Sequence, residues 1–224
     1  MPDNPEMEIA DVRSGQAHCQ LIFRASGITV VDTGSDRTAR PILEAIARHG
    51  HTPADVSLIV LTHGDGDHIA GVRAIQDASG AQVLASADEA DYLAGRLPPG
   101  FPLAKRLFHI VGRRIRRPVV TIWTGDDGLV LDDIEVVPAP GHTRGSIVVF
   151  AGDALCAGDA FTTGDRFTRV PKFMDVDAAR AEATIRGLAG RPIVRAFSGH
   201  GPPAGGAAHR LADLVDRLDA RSRL

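Results

Sequence analysis

Leu61-Thr62-His63-Gly64-Asp65-Gly66-Asp67-His68 is the stretch that decides how this chain is read. It places two imidazoles and two carboxylates within six residues, directly after the apolar run Val56-Ser57-Leu58-Ile59-Val60-Leu61. A buried strand that ends in a glycine-loosened turn aims several side chains at one point. Imidazole with carboxylate is the ligand set of a hard-to-borderline metal. Acidic loops and surface histidines are common, so the segment alone is a hypothesis that the rest of the chain must support.

Three later segments do so. Pro140-Gly141-His142-Thr143 follows Ile134-Glu135-Val136-Val137, Gly158-Asp159-Ala160 follows Ala154-Leu155-Cys156-Ala157, and Gly199-His200-Gly201 follows Ile193-Val194-Arg195-Ala196-Phe197. Each candidate ligand stands where a strand gives way to a loop, beside a glycine that permits a sharp turn. The order His-x-Asp-x-Asp-His, then His142, Asp159 and His200, resembles the metallo-β-lactamase-fold superfamily, especially its glyoxalase II-like hydrolase branch, from about Gln20 to Pro203. Periodicity by itself gives only an α/β or α+β domain. The resemblance implies the rest: a four-layer αββα sandwich, two sheets face to face, helices outside and metals at one edge.

By the same resemblance, His63, Asp65 and His142 bind one ion, Asp67, His68 and His200 a second, and Asp159 bridges them. Two divalent ions about 3.5–4 Å apart can share a hydroxide, lower its pKa and clamp the attacking and leaving oxygens. The expected activity is hydrolysis of an acyl bond (ester, thioester or lactone) of a small molecule, with Asp67 orienting the bridging hydroxide. Phosphodiester hydrolysis and non-haem iron redox chemistry, diiron or persulfide dioxygenase-like, are the alternatives. Asp65 departs from the common family pattern, which has histidine there; the alternative reading is that Asp65 turns away and only the second ion is retained. The Asp65 charge hardens the site, so iron and manganese stand beside zinc as candidates.

Other residues take supporting roles. Asp32, in Val31-Asp32-Thr33-Gly34, resembles the family's aspartate at the end of an early strand, which supports the ligand loop from behind. His18, His49, His51, His109 and His209 lie outside the constellation, and Thr143 and Ser146 suit loop backbone groups better than nucleophilic roles. Substrate choice is expected in a lid around residues 88–118 and in Phe161 to Phe173. Phe101, Arg106, Phe108, Phe161 and Arg166 are the candidate lid residues. An apolar lid with a basic rim fits an anionic substrate; an amphipathic surface helix with solvated charges fits the same composition.

Composition sets the remaining bounds. The 224 residues, 44% hydrophobic, suffice for one sizeable core and suggest a single domain over residues 1–224. A net charge of −3 argues against a general nucleic-acid binder. No run is apolar enough to span a bilayer, and Met1-Pro2-Asp3-Asn4-Pro5-Glu6 lacks the regions of a secretory signal, so a cytoplasmic protein is expected. Cys19 and Cys156 match no zinc spacing and are expected to be structural thiols.

Along the chain, Leu21–Phe23 and Ile28–Val31 read as paired strands, Thr38 to His49 as a helix with Pro41 in its first turn, and Gln82–Leu84 as a strand. A helix should start at Asp67-His68 and carry Val72 and Ile75 inward. Ile147 to Ala157 reads as a hairpin turning at Ala151-Gly152-Asp153. Leu211, Leu214, Val215 and Leu218 repeat at helical spacing, with Asp213 and Arg217 placed for an outer i,i+4 pair.

Overall fold

Alternation of buried side chains along the strands builds two sheets that share one core. The computed structural model describes residues 7–97, 100–111 and 114–221, apart from the side chains at 108, 110 and 111. The first sheet runs, in spatial order, β1 (Ile9–Ser14), β2 (Ala17–Arg24), β3 (Gly27–Val31), β4 (Val56–Val60), β5 (Gln82–Ser86) and β6 (Ile122–Thr124). Its first three strands form an antiparallel meander and the rest add in parallel. The second sheet runs β12 (Ala204–Gly205), β11 (Arg195–Phe197), β10 (Ala154–Cys156), β9 (Ile147–Ala151), β8 (Ile134–Pro138) and β7 (Leu129–Leu131), with only β10 and β11 parallel among its described pairs.

Successive residues of a strand point to opposite faces, and the packing follows that period. Val31, Leu58, Val60 and Leu84 of the first sheet meet Val136, Ile147, Val149 and Phe197 of the second in the middle layer. Val30, Ile59 and Val83 face outward onto α1 (Arg40–Arg48) and α3 (Val72–Ser79), through Ile42, Ile46 and Ile75. On the far side, Val148, Phe150 and Leu155 pack on α6 (Ala178–Ala189) and α7 (Ala207–Arg221), through Ile185, Leu188, Leu211 and Leu214. The result is the expected αββα sandwich. Burying one such aliphatic side chain contributes about 1.5–3 kcal/mol, so each layer is held by its stripe of Val, Ile and Leu.

The expected elements form, with local differences. α1 begins two residues late, because Thr38 N donates to Asp36 Oδ1 at 2.8 Å and Ala39 takes a left-handed φ of 52° ahead of the helix. The helix expected after Asp67-His68 is split into α2 (Gly66–Ile69) and α3, since Ala70 N donates to Gly34 O at 3.0 Å instead of continuing the first turn. The Asp213–Arg217 pair does not form. Arg217 Nη2 donates to Phe167 O at 2.6 Å and Asp213 faces His209 at 3.7 Å. Cys19 and Cys156 are free and buried. Among the described residues, no helix is long and apolar enough to cross a membrane.

Candidate metal centre

The site lies where strands of both sheets end. Asp32 follows β3, the His63–His68 stretch follows β4, His142 follows β8, Asp159 follows β10 and His200 follows β11. Ligands placed beyond the carboxyl ends of strands are the usual arrangement when a sheet supplies rigid support and loops supply chemistry. Backbone hydrogen bonds tie the loops together: Thr33 N donates to His68 O at 2.7 Å, Ile147 N to Thr62 O at 2.9 Å, and Gly199 N to Gly158 O at 2.8 Å. Gly199 is required by close approach. A Cβ there would lie 2.3 Å from His68 Cε1 and 2.5 Å from Asp159 Oδ1.

All seven expected ligands converge. The ligand atoms of His63, Asp65 and His142 lie within 4.8 Å of one another, as do those of Asp67, His68 and His200. Asp159 stands between the groups, with Oδ1 3.4 Å from His68 Nε2 and Oδ2 3.4 Å from His142 Nε2 and 3.5 Å from His200 Nε2. Burial works against its charge, but the facing His68 and a hydrogen bond to His200 hold its carboxyl well below the usual range.

Hydrogen bonds behind the ligands decide which imidazole nitrogen faces the site. Asp32 Oδ2 accepts Thr62 Oγ1–H at 2.6 Å and sits 2.8 Å from His68 Nδ1, so His68 carries a proton there and presents Nε2 forward. With its proton given to Asp32, the Thr62 hydroxyl oxygen accepts from His63 Nδ1 at 3.0 Å. His63 Nε2 therefore faces forward too. Burial, and next the neighbouring His68, lower the His63 pKa and favour its neutral, ligating form. His142 Nδ1 lies 3.3 Å from Asp175 Oδ1. His63 Nε2, His68 Nε2 and Asp159 Oδ1 are buried without a hydrogen-bond partner. Buried polar atoms are rarely left so, and these are three donors of the type a divalent ion takes. The donor set fits a metal ion.

A segment between β5 and β6 closes the site from one side. Glu89, 1% exposed, accepts Gly64 N at 2.8 Å and Gly145 N at 3.0 Å, fastening the His63–His68 loop to the His142 loop. It stands at the start of α4 (Ala90–Leu93), from which Tyr92 donates its hydroxyl to Asp65 Oδ1 at 2.8 Å. Gly64 leaves room for that ring, since a Cβ would lie 2.6 Å from Tyr92 Cδ1. From α5 (Leu103–Val111), Lys105 reaches inward with its Nζ on Asp65 Oδ2 and 2.9 Å from His142 Nε2. Burial alone would raise the Asp65 pKa, but the Lys105 ammonium holds it well below the usual carboxylate range.

Local sequence signals do not mark Glu89, Tyr92 or Asp175, and Lys105 reads there only as one of the cations of the lid's basic rim. The pattern of α5 points the other way: Leu103 and Leu107 are exposed, 73% and 57%, while Lys105 is 1% exposed. The lid expectations change accordingly. Phe101 packs edge-to-face on Tyr92 with ring centroids 4.8 Å apart, and Arg106 is exposed. The Phe108 side chain lies outside the described residues. Phe161 is a core residue stacked on Phe167 at 5.1 Å, because it continues the apolar face beneath α7. Arg166 is exposed and lines a separate surface hollow with Arg217 and Leu218. The cleft over the centre, about 440 Å³, is instead walled by Gln16, Ser35, Arg37, Ile115 and Met174, with Asp67 and His200 on its floor.

His200 is the most open of the histidine donors. Its hydrogen bond to Asp159, then that to Asp67, push its pKa up to about 10, so the metal-free protein holds a proton there at neutral pH. A metal ion must displace it. Zinc uptake should release at least one proton, and apparent affinity should rise at least about tenfold per unit between about pH 6 and 8. Calorimetry in buffers of different ionisation enthalpy measures this. An enthalpy independent of buffer would show that His200 enters already neutral.

Two facing sheets with helices outside, carrying a histidine and aspartate cluster at one edge, define a class of metal-dependent proteins. The profile of the metallo-beta-lactamase superfamily matches residues 12–202, and the chain belongs to that superfamily. It is 36% identical over 141 residues to a hydroxyacylglutathione hydrolase of Cereibacter sphaeroides, covering 58% of this chain and 44% of that protein. It is 27% identical over 227 residues to the probable metallo-hydrolase YflN of Bacillus subtilis, covering 90% and 86%. The chain thus spans less than half the length of the first of these relatives. A solved structure of TTHA1623 in a di-iron-bound form superposes with a TM-score of 0.72 at 21% identity, over 92% of this chain and 98% of that one. The solved structure shows the shared fold, and the names of the two sequence relatives support a hydrolase.

Proposed function

We propose that the chain is a metal-dependent hydrolase of an acyl bond in a small molecule, an ester, thioester or lactone with an anionic end. The observation that carries this reading is the pair of buried, unpartnered donor atoms His68 Nε2 and Asp159 Oδ1 beside Asp67 and His200, with Asp67, Asp159 and His200 lining an open cleft. Asp67, His68, His200 and Asp159 would hold a divalent ion, which when bound lowers the pKa of a coordinated water and polarises the carbonyl it meets. Zinc, iron and manganese all suit such donors.

The chain's own residues do the rest. Asp67 Oδ2 lies 3.3 Å from His200 Nε2 and lines the cleft, so it is placed to orient a water and accept its proton. Burial opposes its charge, but His68 lowers its pKa and keeps it a base. Ile115, Met174 and Ala70 give the cleft an apolar wall for an acyl chain, and the exposed Arg37 at its side suits a carboxylate. The hydroxyacylglutathione hydrolase relative, whose name denotes cleavage of a thioester, favours the same bond class.

The test is a panel of thioesters, lactones, esters and phosphodiesters, assayed with protein loaded separately with zinc, iron(II) or manganese. Turnover of an acyl substrate, lost on chelation and restored by metal, is the expected result. Cleavage confined to phosphodiesters would replace the acyl reading. The expectation of two ions meets an obstacle at the first position, where Lys105 stands.

A further inference from the structure

Lys105 puts a cation where the first of two ions would lie. Its Nζ bonds Asp65 Oδ2 and lies 2.9 Å from His142 Nε2, two of the three atoms that make up the first donor group. An ammonium has three N–H groups and no lone pair, so it occupies the space beside Asp65 and His142 that a metal would take and cannot itself ligate. We propose that the Lys105 ammonium takes the place of the first metal ion, so that the chain holds one divalent ion, at Asp67, His68, His200 and Asp159. This rests on the reading of the cluster as a metal centre.

Asp65 is explained by the same arrangement. A buried ammonium without a carboxylate is strongly unfavourable, and an imidazole at position 65 would leave it uncompensated. The carboxylate that departs from the family's histidine is thus the counter-ion of the lysine. One ammonium and one divalent ion balance the charges of Asp65, Asp67 and Asp159. His142 Nε2 lies 2.9 Å from Lys105 Nζ and 3.1 Å from Asp65 Oδ2, while its Nδ1 faces Asp175.

The lysine is held by its surroundings. Tyr92 fixes the other oxygen of Asp65, Phe101 packs on Tyr92, and Glu89 from the same segment bonds the backbone of both ligand loops. Seating an ion in the first position would require withdrawing Lys105, which is 1% exposed, from this packing. His63 Nε2 remains without a hydrogen bond, its ring centroid 4.1 Å from that of His68.

The experiment is metal stoichiometry, independent of any substrate. Chelator-stripped full-length protein is titrated with zinc and, separately, cobalt(II), then dialysed and analysed for metal, with electron paramagnetic resonance on the cobalt form. Wild type should retain one equivalent and show an uncoupled cobalt signal. Lys105→Ala should retain two, with the signal altered by coupling between neighbouring ions. Should Lys105→Ala fail to fold, the paired variant Asp65→His with Lys105→Ala, which leaves no uncompensated carboxylate, carries the same readout. Two equivalents in wild type, or one in a folded variant, would overturn the lysine's role and leave the hydrolase reading standing. No retained metal in wild type would overturn the metal centre itself.

Discussion

Asp159→Asn should lower kcat/KM by about 10³-fold or more at saturating metal, a loss on the order of 4 kcal/mol in transition-state stabilisation. Asp159 is the group that all parts of the centre share, within 3.5 Å of His68, His142 and His200. The amide keeps its shape and removes its charge, so the positive groups around it lose their common counter-charge, and one oxygen donor becomes an N–H donor that cannot ligate. His200 should feel the change directly, because its bond to Asp159 is the largest cause of its raised pKa. Metal content should be measured beside the kinetics. Activity within tenfold of wild type at full metal occupancy would show that Asp159 only frames the site.

Asp65→Asn should destabilise the metal-free protein by about 3–5 kcal/mol, because removing one partner of a buried ion pair leaves the other charge uncompensated. For a chain of this length that corresponds to a fall in Tm of roughly 6–20 °C. The pair is buried on both sides, Lys105 at 1% and Asp65 at 11% side-chain exposure. Asp65→His, which restores the family's more common residue, strands the same ammonium and should show a comparable loss. The check is a double-mutant cycle with Lys105→Met, read by denaturant unfolding in chelator. Part of the stability should return in Asp65→Asn with Lys105→Met, since two neutral groups of similar shape replace the pair. Single-mutant losses below about 1 kcal/mol that simply add would show that the two residues do not act as a pair.

The ligands were readable because each is announced locally. His63, Asp65, Asp67 and His68 fall within six residues, and His142, Asp159 and His200 each follow an apolar run and touch a glycine. Strand periodicity likewise placed the two hairpins, since alternate side chains of Ile147–Ala151 must face opposite layers. The glycine signal was sound for a different reason at Gly199, where the need is close approach of His68 and Asp159. Phe161 was misjudged where composition stood in for position. It is aromatic and close after Asp159, but it continues an apolar face under α7 and belongs to the core.

The sequence by itself determined the strands and the donor set, because both depend on short-range patterns: apolar alternation within a strand, and donor, glycine and loop within a few residues; the four-layer arrangement followed from the family resemblance that those motifs carry. Only the tertiary structure decided what occupies the first donor group. Lys105 lies 40 positions from Asp65 and 37 from His142, on a helix whose leucines face solvent. Nothing in its own stretch marks it as buried. Its burial is stabilised by a carboxylate that the fold brings to it, and a charge pairing between distant elements leaves no periodic trace in either one.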